Sequence, residues 1–237
     1  MGKRLIVTGA DFSVNGIPTE YQVLAWIGGT TKNYADTEAG VDLSQGQYIS
    51  SGINTTINTR IVTEFILDAN TVGTKSCYLT GCANPTPAAL YVWPQPAKTL
   101  VGFAYQTGTT TANIMELQES LWDSERHVTD ISKGKIVIDS AETAWTSTPD
   151  KGSSTTTGPI YLDCCYQPSS GGYNTKAPEG VKICRVKVYT DYSDPTSLVV
   201  DAIPAMRLSD NKIGFYNLVN GEWLLRNNGT NPTYGTL

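Results

Sequence analysis

Residues 182–225 read KICRVKVYTDYSDPTSLVVDAIPAMRLSDNKIGFYNLVNGEWLL, and this stretch decides the fold. Side chains at its start alternate between the two sides of an extended chain. One side carries Ile183, Arg185, Lys187 and Tyr189, and the other carries Cys184, Val186 and Val188. Such alternation is typical of a strand with one buried face. Apolar runs at 198–202 and 213–216 follow without a helical pattern, so the stretch predicts three or four strands in succession.

The same stretch contains the signals that separate these strands. The polar run 191–197 and residues 210–212 predict turns. Pro204 is expected to stop regular pairing or to place its segment at a sheet edge, because proline has no N–H to donate. Asn220-Gly221 predicts a two-residue type I′ hairpin, in which both turn positions need positive φ.

Two further stretches complete a pattern: YQVLAWI at 21–27 and QYISSGINTTINTRIVTEFIL at 47–67. Together with residues 182–225 they resemble the concanavalin A-like (laminin G-like) jelly-roll domains of gut bacteria and their phages. The matching residues of the second stretch are Tyr48, Ile49, Gly52, Ile53, Asn58, Arg60 and Ile61. The resemblance covers most of 21–226, departs from the pattern at the polar insertion 31–44, and implies an all-β sandwich over 20–237.

The N-terminal phrase RLIVTGADFSVNGI resembles leaders that precede variable domains in phage structural proteins. Its few apolar residues and flexible loop predict a detached arm at residues 1–19. The residues expected to bind a partner are Leu5, Ile6, Val7 and Phe12. Such an arm adds a strand to a partner's exposed sheet edge, or it pairs with the domain's own sheet; the sequence leaves both open.

Composition limits the classes of function. The 237 residues suit one large all-β domain, and a net charge of -5 with one histidine argues against a nucleic-acid partner. The N-terminal apolar run is too short for a signal peptide, and no apolar run suits membrane insertion, so synthesis in a cytoplasm is expected. The five cysteines are interpreted as small buried residues, with no metal site and no cofactor.

The middle of the chain predicts further short strands, as in a β-sandwich. They are expected as two strands within 47–67 and single strands at 77–80, 89–93, 99–106, 135–139 and 160–166. Pro94 and Pro96 should end the strand at 89–93. At 113–129 a short helix competes with sheet, because apolar side chains there recur every three to four residues.

Catalysis is not expected, and no catalytic residue is assigned. A glycoside hydrolase needs two carboxylates facing one cleft. The candidate pairs are Glu116 with Glu119, and Asp123 with Glu125. The first pair has helical spacing, and the second lacks flanking aromatic residues. His127 has no nucleophile nearby in sequence.

Glycan binding would need aromatic rings exposed on loops. The candidates are Trp93, Trp122, Trp145 and Tyr173, although partial burial under a loop is the more common meaning of each. Trp26 and Trp223 fall within strand patterns and are expected in the core. The oxygens of Asp191, Ser193 and Asp194 suit either calcium or, more commonly, a tight polar turn.

The sequence therefore predicts a non-enzymatic structural protein of a phage virion, such as a capsid decoration, head fibre or tail-associated protein. Expected partners are capsid or tail proteins, other copies of the chain, and host or mucus glycans. The alternatives are a glycan-binding module of a gut bacterium's surface machinery and a glycoside hydrolase of the same fold.

Overall fold

The computed structural model describes twelve segments of the chain. They are residues 16–28, 48–56, 58–69, 79–83, 89–95, 100–106, 113–117, 121–133, 135–143, 159–163, 180–226 and 229–237. Within them the structure is almost entirely antiparallel β-sheet, with one short 3-10 turn at Pro195–Ser197. The all-β prediction is confirmed.

The described strands form two sheets. The larger contains β1 (Tyr21–Gly28), β3 (Arg60–Leu67), β8 (Arg126–Ile131), β9 (Ile136–Ile138), β10 (Ala141–Thr143), β12 (Val181–Tyr189), β13 (Leu198–Arg207), β14 (Lys212–Asn217), β15 (Trp223–Leu225) and β16 (Thr233–Thr236). The smaller contains β2 (Ser50–Asn54), β4 (Gly81–Ala83), β5 (Ala89–Gln95), β6 (Leu100–Gln106), β7 (Asn113–Leu117) and β11 (Pro159–Tyr161).

The larger sheet has the order β10-β9-β8-β3-β12-β1-β13-β14-β15, with β16 added beside β1. The smaller has the order β2-β11-β4-β5-β6-β7. One core cluster joins side chains of the larger sheet, such as Phe65 and Phe215, to Ile160 of β11 and to Leu79 and Leu162. Each large side chain fully buried there contributes about 1.5–3 kcal/mol. This arrangement is consistent with a β-sandwich.

Pro204 lies inside β13, and the prediction that it ends pairing or marks an edge is wrong. It pairs with Phe215 of β14 on one side. On the other side, the pairing of β13 with β12 ends at Ala202 and its pairing with β1 begins at Ala205. Leu208 N–H points to that second side, toward Glu20, and alternate residues of a strand point the same way. The missing N–H of Pro204 therefore falls in the gap between two partner strands.

The alternation predicted for β12 is correct only after Cys184. The pairing of β12 with β3 shifts register between Ile183 and Arg185, so Cys184 is the extra residue of a β-bulge. Ile183 consequently lies in the core with Val186 and Val188 instead of sharing the outer side with Arg185. A bulge changes which side chains of the strand are buried, and no residue type in the sequence indicates its position.

The hairpin at Asn220-Gly221 exists, but its turn is longer than predicted. β14 ends at Asn217 and β15 begins at Trp223. Gly221 has φ 75°, whereas Asn220 is not among the residues with positive φ, so the turn is not type I′. Gly221 N–H donates to Asn217 O at 2.8 Å, which closes a wider loop.

Other predicted elements needed correction. The region 113–129 contains β7 and the start of β8, so the competing helix is wrong; its apolar positions 114 and 117 lie in β7, which pairs with β6. Pro94 continues β5 and pairs with Val101. Residues 77–78 of the strand expected at 77–80 lie outside the described residues, 79–80 are not in a strand, and β4 begins at Gly81; β10 was not predicted.

The two sheets are also joined by a buried ion pair at one side. Ile49 forms a β-bridge with Arg226, and its N–H donates to Asp163 Oδ1 at 2.9 Å. Arg226 Nε lies 3.6 Å from Asp163 Oδ2, and the two side chains are only 2% and 4% exposed. We call Ile49, Asp163 and Arg226 the seam.

Candidate functional site

The outer face of the larger sheet carries ion pairs that cross between strands. Arg60 of β3 binds Asp130 of β8 through two hydrogen bonds of 2.8 and 2.7 Å. Arg185 of β12 binds Asp201 of β13 through two of 2.6 and 2.7 Å. A looser pair joins Arg126 to Glu64 at 3.6 Å. We call these six residues the charged face. A paired arginine fork holds neighbouring strands in register as well as satisfying both charges.

Arg60 belongs to the phrase that carried the resemblance, and the structure gives it a structural role. Its guanidinium lies 4.6 Å from the ring centroid of Tyr189 while it binds Asp130. The hydrogen bond to Asp130 is the main cause that raises the pKa of Arg60. Gly52 of the same phrase has φ 73°, a conformation that glycine adopts without strain.

The same outer face becomes aromatic toward β14 and β15. Tyr21, Tyr216 and Trp223 lie with ring centroids 4.9 and 5.0 Å apart, over Ile203 and Ala205 of β13. We call these five residues the aromatic cluster. Trp223 was expected in the core; it is half-buried and packs in this second cluster because residues 201, 203 and 205 face away from the core.

The chain enters the body beside this cluster. Ile17 packs against it, and Tyr21 N–H donates to Pro18 O at 3.0 Å. Glu20 O accepts a hydrogen bond of 2.8 Å from Leu208 N–H, just after β13. Residues 17–20 therefore contact the larger sheet, and 17–19 of them belong to the predicted arm.

Trp26 lies on β1 opposite Gly235 of β16. A Cβ atom added to Gly235 would collide with the indole ring, so glycine is required for this close approach. Lys182 Nζ lies 5.2 Å from the Trp26 ring centroid. Trp26, also expected in the core, is half-buried outside the main core cluster, because the register of β1 shifts between Leu24 and Trp26.

A second arrangement of titratable groups surrounds His127, at the start of β8. Its Nδ1 lies 2.6 Å from Asp139 Oδ2, and its Nε2 lies 2.9 Å from Asp123 Oδ1. The imidazole is 10% exposed, whereas the two carboxylates are 43% and 47% exposed. We call these three residues the histidine cluster. The carboxylates bind opposite nitrogens of the ring, so the three side chains do not converge on one point where a metal ion would sit.

The ionisation of the histidine cluster reflects competition between burial and hydrogen bonding. Burial acts to lower the pKa of His127, but the hydrogen bonds of Asp139 and Asp123 outweigh it and raise this pKa above its ordinary value. Partial burial likewise acts to raise the pKa of Asp123. The hydrogen bonds from His127 and from Glu125 N–H prevail and lower it.

Asp139 is held by its own turn. Asp139 and Ser140 have φ of 48° and 76° and join β9 to β10, as a two-residue type I′ turn requires. The left-handed conformation is uncommon for side chains other than glycine, although Asp tolerates it better than most. Asp139 Oδ1 accepts a hydrogen bond of 2.9 Å from Val128 N–H, which fastens the turn to β8.

The oxygens considered for calcium cap a turn instead. Asp191 Oδ1 accepts from the N–H and hydroxyl of Ser193 at 2.9 and 2.7 Å. Asp194 Oδ1 accepts from the N–H and hydroxyl of Thr196 at 2.8 and 2.7 Å. These bonds are the local contacts that favour Asp in turns.

The structure describes two of the residues proposed for glycan and partner binding. Trp122 is 9% exposed and belongs to the core cluster, and Trp93 lies in β5. Outside the described residues lie Trp145, Tyr173, Leu5, Ile6, Val7 and Phe12, and also the insertion 31–44.

The structure describes one candidate carboxylate pair in full and the other only in part. Glu116 lies in β7 of the smaller sheet, and Glu119 lies outside the described residues. Asp123 accepts hydrogen bonds from His127 and, at 2.8 Å, from Glu125 N–H. Sequence reasoning missed the partnership of Asp123, His127 and Asp139, since it depends on the turn between β9 and β10.

Cys184 is the cysteine whose side chain the structure describes as a free, buried thiol. Burial raises its pKa to about 11, so it is protonated and unreactive at neutral pH. This agrees with the interpretation of the cysteines as small buried residues.

No family model and no curated protein matches the chain. In the part of the chain that the structure describes, no helix is long and apolar enough to cross a membrane.

Proposed function

We propose that this protein is a non-enzymatic structural component of a bacteriophage virion, as a capsid decoration, head fibre or tail-associated protein. In this proposal residues 1–19 dock the chain to a capsid or tail protein, and a concanavalin A-like jelly roll over 20–237 is displayed on the particle. Self-association and weak adhesion to host or mucus glycans are further roles of the displayed body.

The observation that carries the proposal is the way in which the chain enters the body. Ile17 packs beside the aromatic cluster, and backbone hydrogen bonds of Pro18 and Glu20 fasten the following residues to β1 and to the end of β13. These strands lie within the larger sheet. A force on a docked N-terminal segment is thus passed to the sheet directly, which suits an anchor.

The described charged groups also support a structural protein. The arginines of the charged face pair with carboxylates of neighbouring strands, and the carboxylate of Asp123 is hydrogen-bonded to His127. These carboxylates hold the fold together through charge-assisted hydrogen bonds. The virion in this proposal rests on the resemblance to phage structural proteins. The pairing of the charged groups fits the non-enzymatic role.

The test is binding to capsid and tail proteins encoded in the same genome. We would compare the native chain with a variant that carries Leu5→Ser, Ile6→Ser, Val7→Ser and Phe12→Ser. A matched control replaces two exposed apolar residues of the body, Leu208→Ser and Val219→Ser. Cosedimentation or light scattering of each mixture gives the affinity, and circular dichroism checks that each variant is folded.

The proposal predicts that the native chain and the control bind one of these proteins, and that the arm variant binds at least about tenfold more weakly, a loss of about 1.4 kcal/mol. Equal binding by the arm variant would exclude the arm as the anchor. If no capsid or tail protein binds while immobilised mucin glycans retain the chain, the glycan-binding module becomes the better proposal.

A further inference from the structure

The histidine cluster connects three parts of the fold that are separate in sequence. Asp123 belongs to the irregular residues 121–125, His127 to β8, and Asp139 to the turn between β9 and β10. The hairpin of β9 and β10 forms one end of the larger sheet and covers the side of β8 that β3 leaves open. The state of one imidazole therefore bears on how firmly this end of the sheet is held.

The geometry requires a particular protonation state. An ionised carboxylate only accepts hydrogen bonds, and a neutral imidazole has a single N–H to donate. Because both ring nitrogens face carboxylate oxygens, at 2.6 and 2.9 Å, both contacts are hydrogen bonds only when His127 is an imidazolium. When the ring loses a proton, a lone pair on one ring nitrogen faces a lone pair on a carboxylate oxygen, and the two atoms repel each other.

We propose that Asp123, His127 and Asp139 form a proton-operated clamp. Protonated His127 fastens residues 121–125 and the β9–β10 hairpin to β8, and loss of the proton loosens one of these two connections. This inference concerns the body of the protein and does not depend on the proposed role in a virion.

No other described charge competes for the ring. On β3 its neighbour is Phe65, whose ring centroid lies 5.9 Å away, and β9 presents buried Ile138. The adjacent Arg126 alternates to the outer face, where it pairs with Glu64. Glu125 is exposed and meets Asp123 through its backbone N–H, and Asp68 Oδ1 meets Ser124 Oγ at 3.4 Å.

The directions of the pKa shifts of His127 and Asp123 determine how the clamp depends on pH. The pKa of His127 is raised in the folded state, so its contribution is fully present below the pKa of an unfolded histidine and is lost as pH rises through the folded pKa. The pKa of Asp123 is lowered, so the contribution of this carboxylate is lost as pH falls through its folded pKa. The clamp is therefore closed in mildly acidic solution and opens as pH rises through the raised pKa of His127.

The test uses the fact that the chain has one histidine, so a single imidazole is observed by NMR. The proton and nitrogen signals of His127 would be followed across the titration, together with the amide signals of Val128 and Asp139. Asp123→Asn and Asp139→Asn each remove one charged acceptor. Glu125→Gln is the matched control, because it removes a nearby carboxylate, whereas the described partners of the ring are Asp139 and Asp123.

The proposal predicts that the native imidazole titrates above a free histidine and that the amide signals of Val128 and Asp139 move with the same midpoint. Asp123→Asn and Asp139→Asn should lower that midpoint, and Glu125→Gln should leave it nearly unchanged. Urea midpoints of the native chain should fall between about pH 6 and pH 9, while those of His127→Gln stay level. The clamp is refuted if the imidazole titrates at or below a free histidine, or if its midpoint ignores both asparagine variants.

Discussion

The seam and the histidine cluster use the same chemistry, a cation beside carboxylates, at different depths. At the seam the side chains of Asp163 and Arg226 are almost fully buried, and Arg226 Nε lies 3.6 Å from Asp163 Oδ2. In the histidine cluster the carboxylates are nearly half exposed, and the contacts are 2.6 and 2.9 Å. Depth, not the number of charges, therefore determines whether burial or pairing dominates the pKa of the carboxyl group, because loss of hydration grows with burial faster than pairing compensates.

The pKa values of the two regions move in opposite directions for this reason. Burial raises the pKa of Asp163, although Arg226 and the Ile49 N–H act against it. Hydrogen bonds lower the pKa of Asp123, although partial burial acts against them. Within the described residues, Arg226 Nε and Nη2 and Asp163 Oδ2 make no hydrogen bond, so the seam is incompletely satisfied. A seam of this kind joins the sheets at a cost in hydration energy.

The largest expected effect comes from breaking the seam on one side only. Asp163→Ala or Arg226→Ala leaves one buried charge without its partner and should cost about 3–5 kcal/mol of unfolding free energy. Asp163→Ala also removes the acceptor of the Ile49 N–H. Urea denaturation of the single variants measures this loss.

The double variant Asp163→Leu with Arg226→Met sharpens the comparison. It fills the same space without charge, and it should be clearly more stable than either single variant, because no unpaired charge remains. A double variant no more stable than the less stable single variant would show that removing both charges brings no relief, and the seam would not be an ion pair in any energetic sense.

A smaller effect is expected on the charged face. Arg185→Ala removes a paired fork from Asp201, whose side chain is 12% exposed, whereas that of Arg185 is 33% exposed, so the loss should be about 1–3 kcal/mol. The matched control is Lys135→Ala, which breaks a pair with Glu142 whose members are both exposed and should cost less than about 0.5 kcal/mol. A loss at Arg185 as large as that at Arg226 would show that depth does not determine these energies.

The longer strands of the larger sheet could largely be predicted from sequence because they are rich in apolar residues, as at 21–27, 60–67 and 198–202, whereas the three-residue β10 could not. What escaped prediction depends on neighbours. Pro204 is tolerated because two partner strands leave a gap beside it, and the bulge at Cys184 is visible only in the register with β3.

The candidate sites were less predictable than the strands, for a related reason. Arg60 and Arg185 could be placed on an outer face by alternation, but their partners Asp130 and Asp201 come from other strands. His127 looked isolated because Asp139 reaches it through a turn formed by Asp139 and Ser140, a pair without the glycine that usually marks a type I′ turn.

The smallest expected effect is on how steeply stability changes with pH in acid, and it should have opposite signs in Asp123→Asn and Asp163→Asn. Asp123 has a lowered folded pKa, so the native chain should lose stability as pH falls through it, and Asp123→Asn should remove that part of the acid dependence. Asp163 has a raised folded pKa, so its contribution is largest in acid and declines as pH rises from the ordinary carboxyl value. Asp163→Asn should therefore make the rise of stability with pH steeper, the opposite change to Asp123→Asn. Urea midpoints between about pH 3 and pH 6 decide this. If both variants changed the slope in the same direction, the same contribution, either burial or hydrogen bonding, would dominate the pKa of both carboxylates. The difference in depth would then not explain their behaviour.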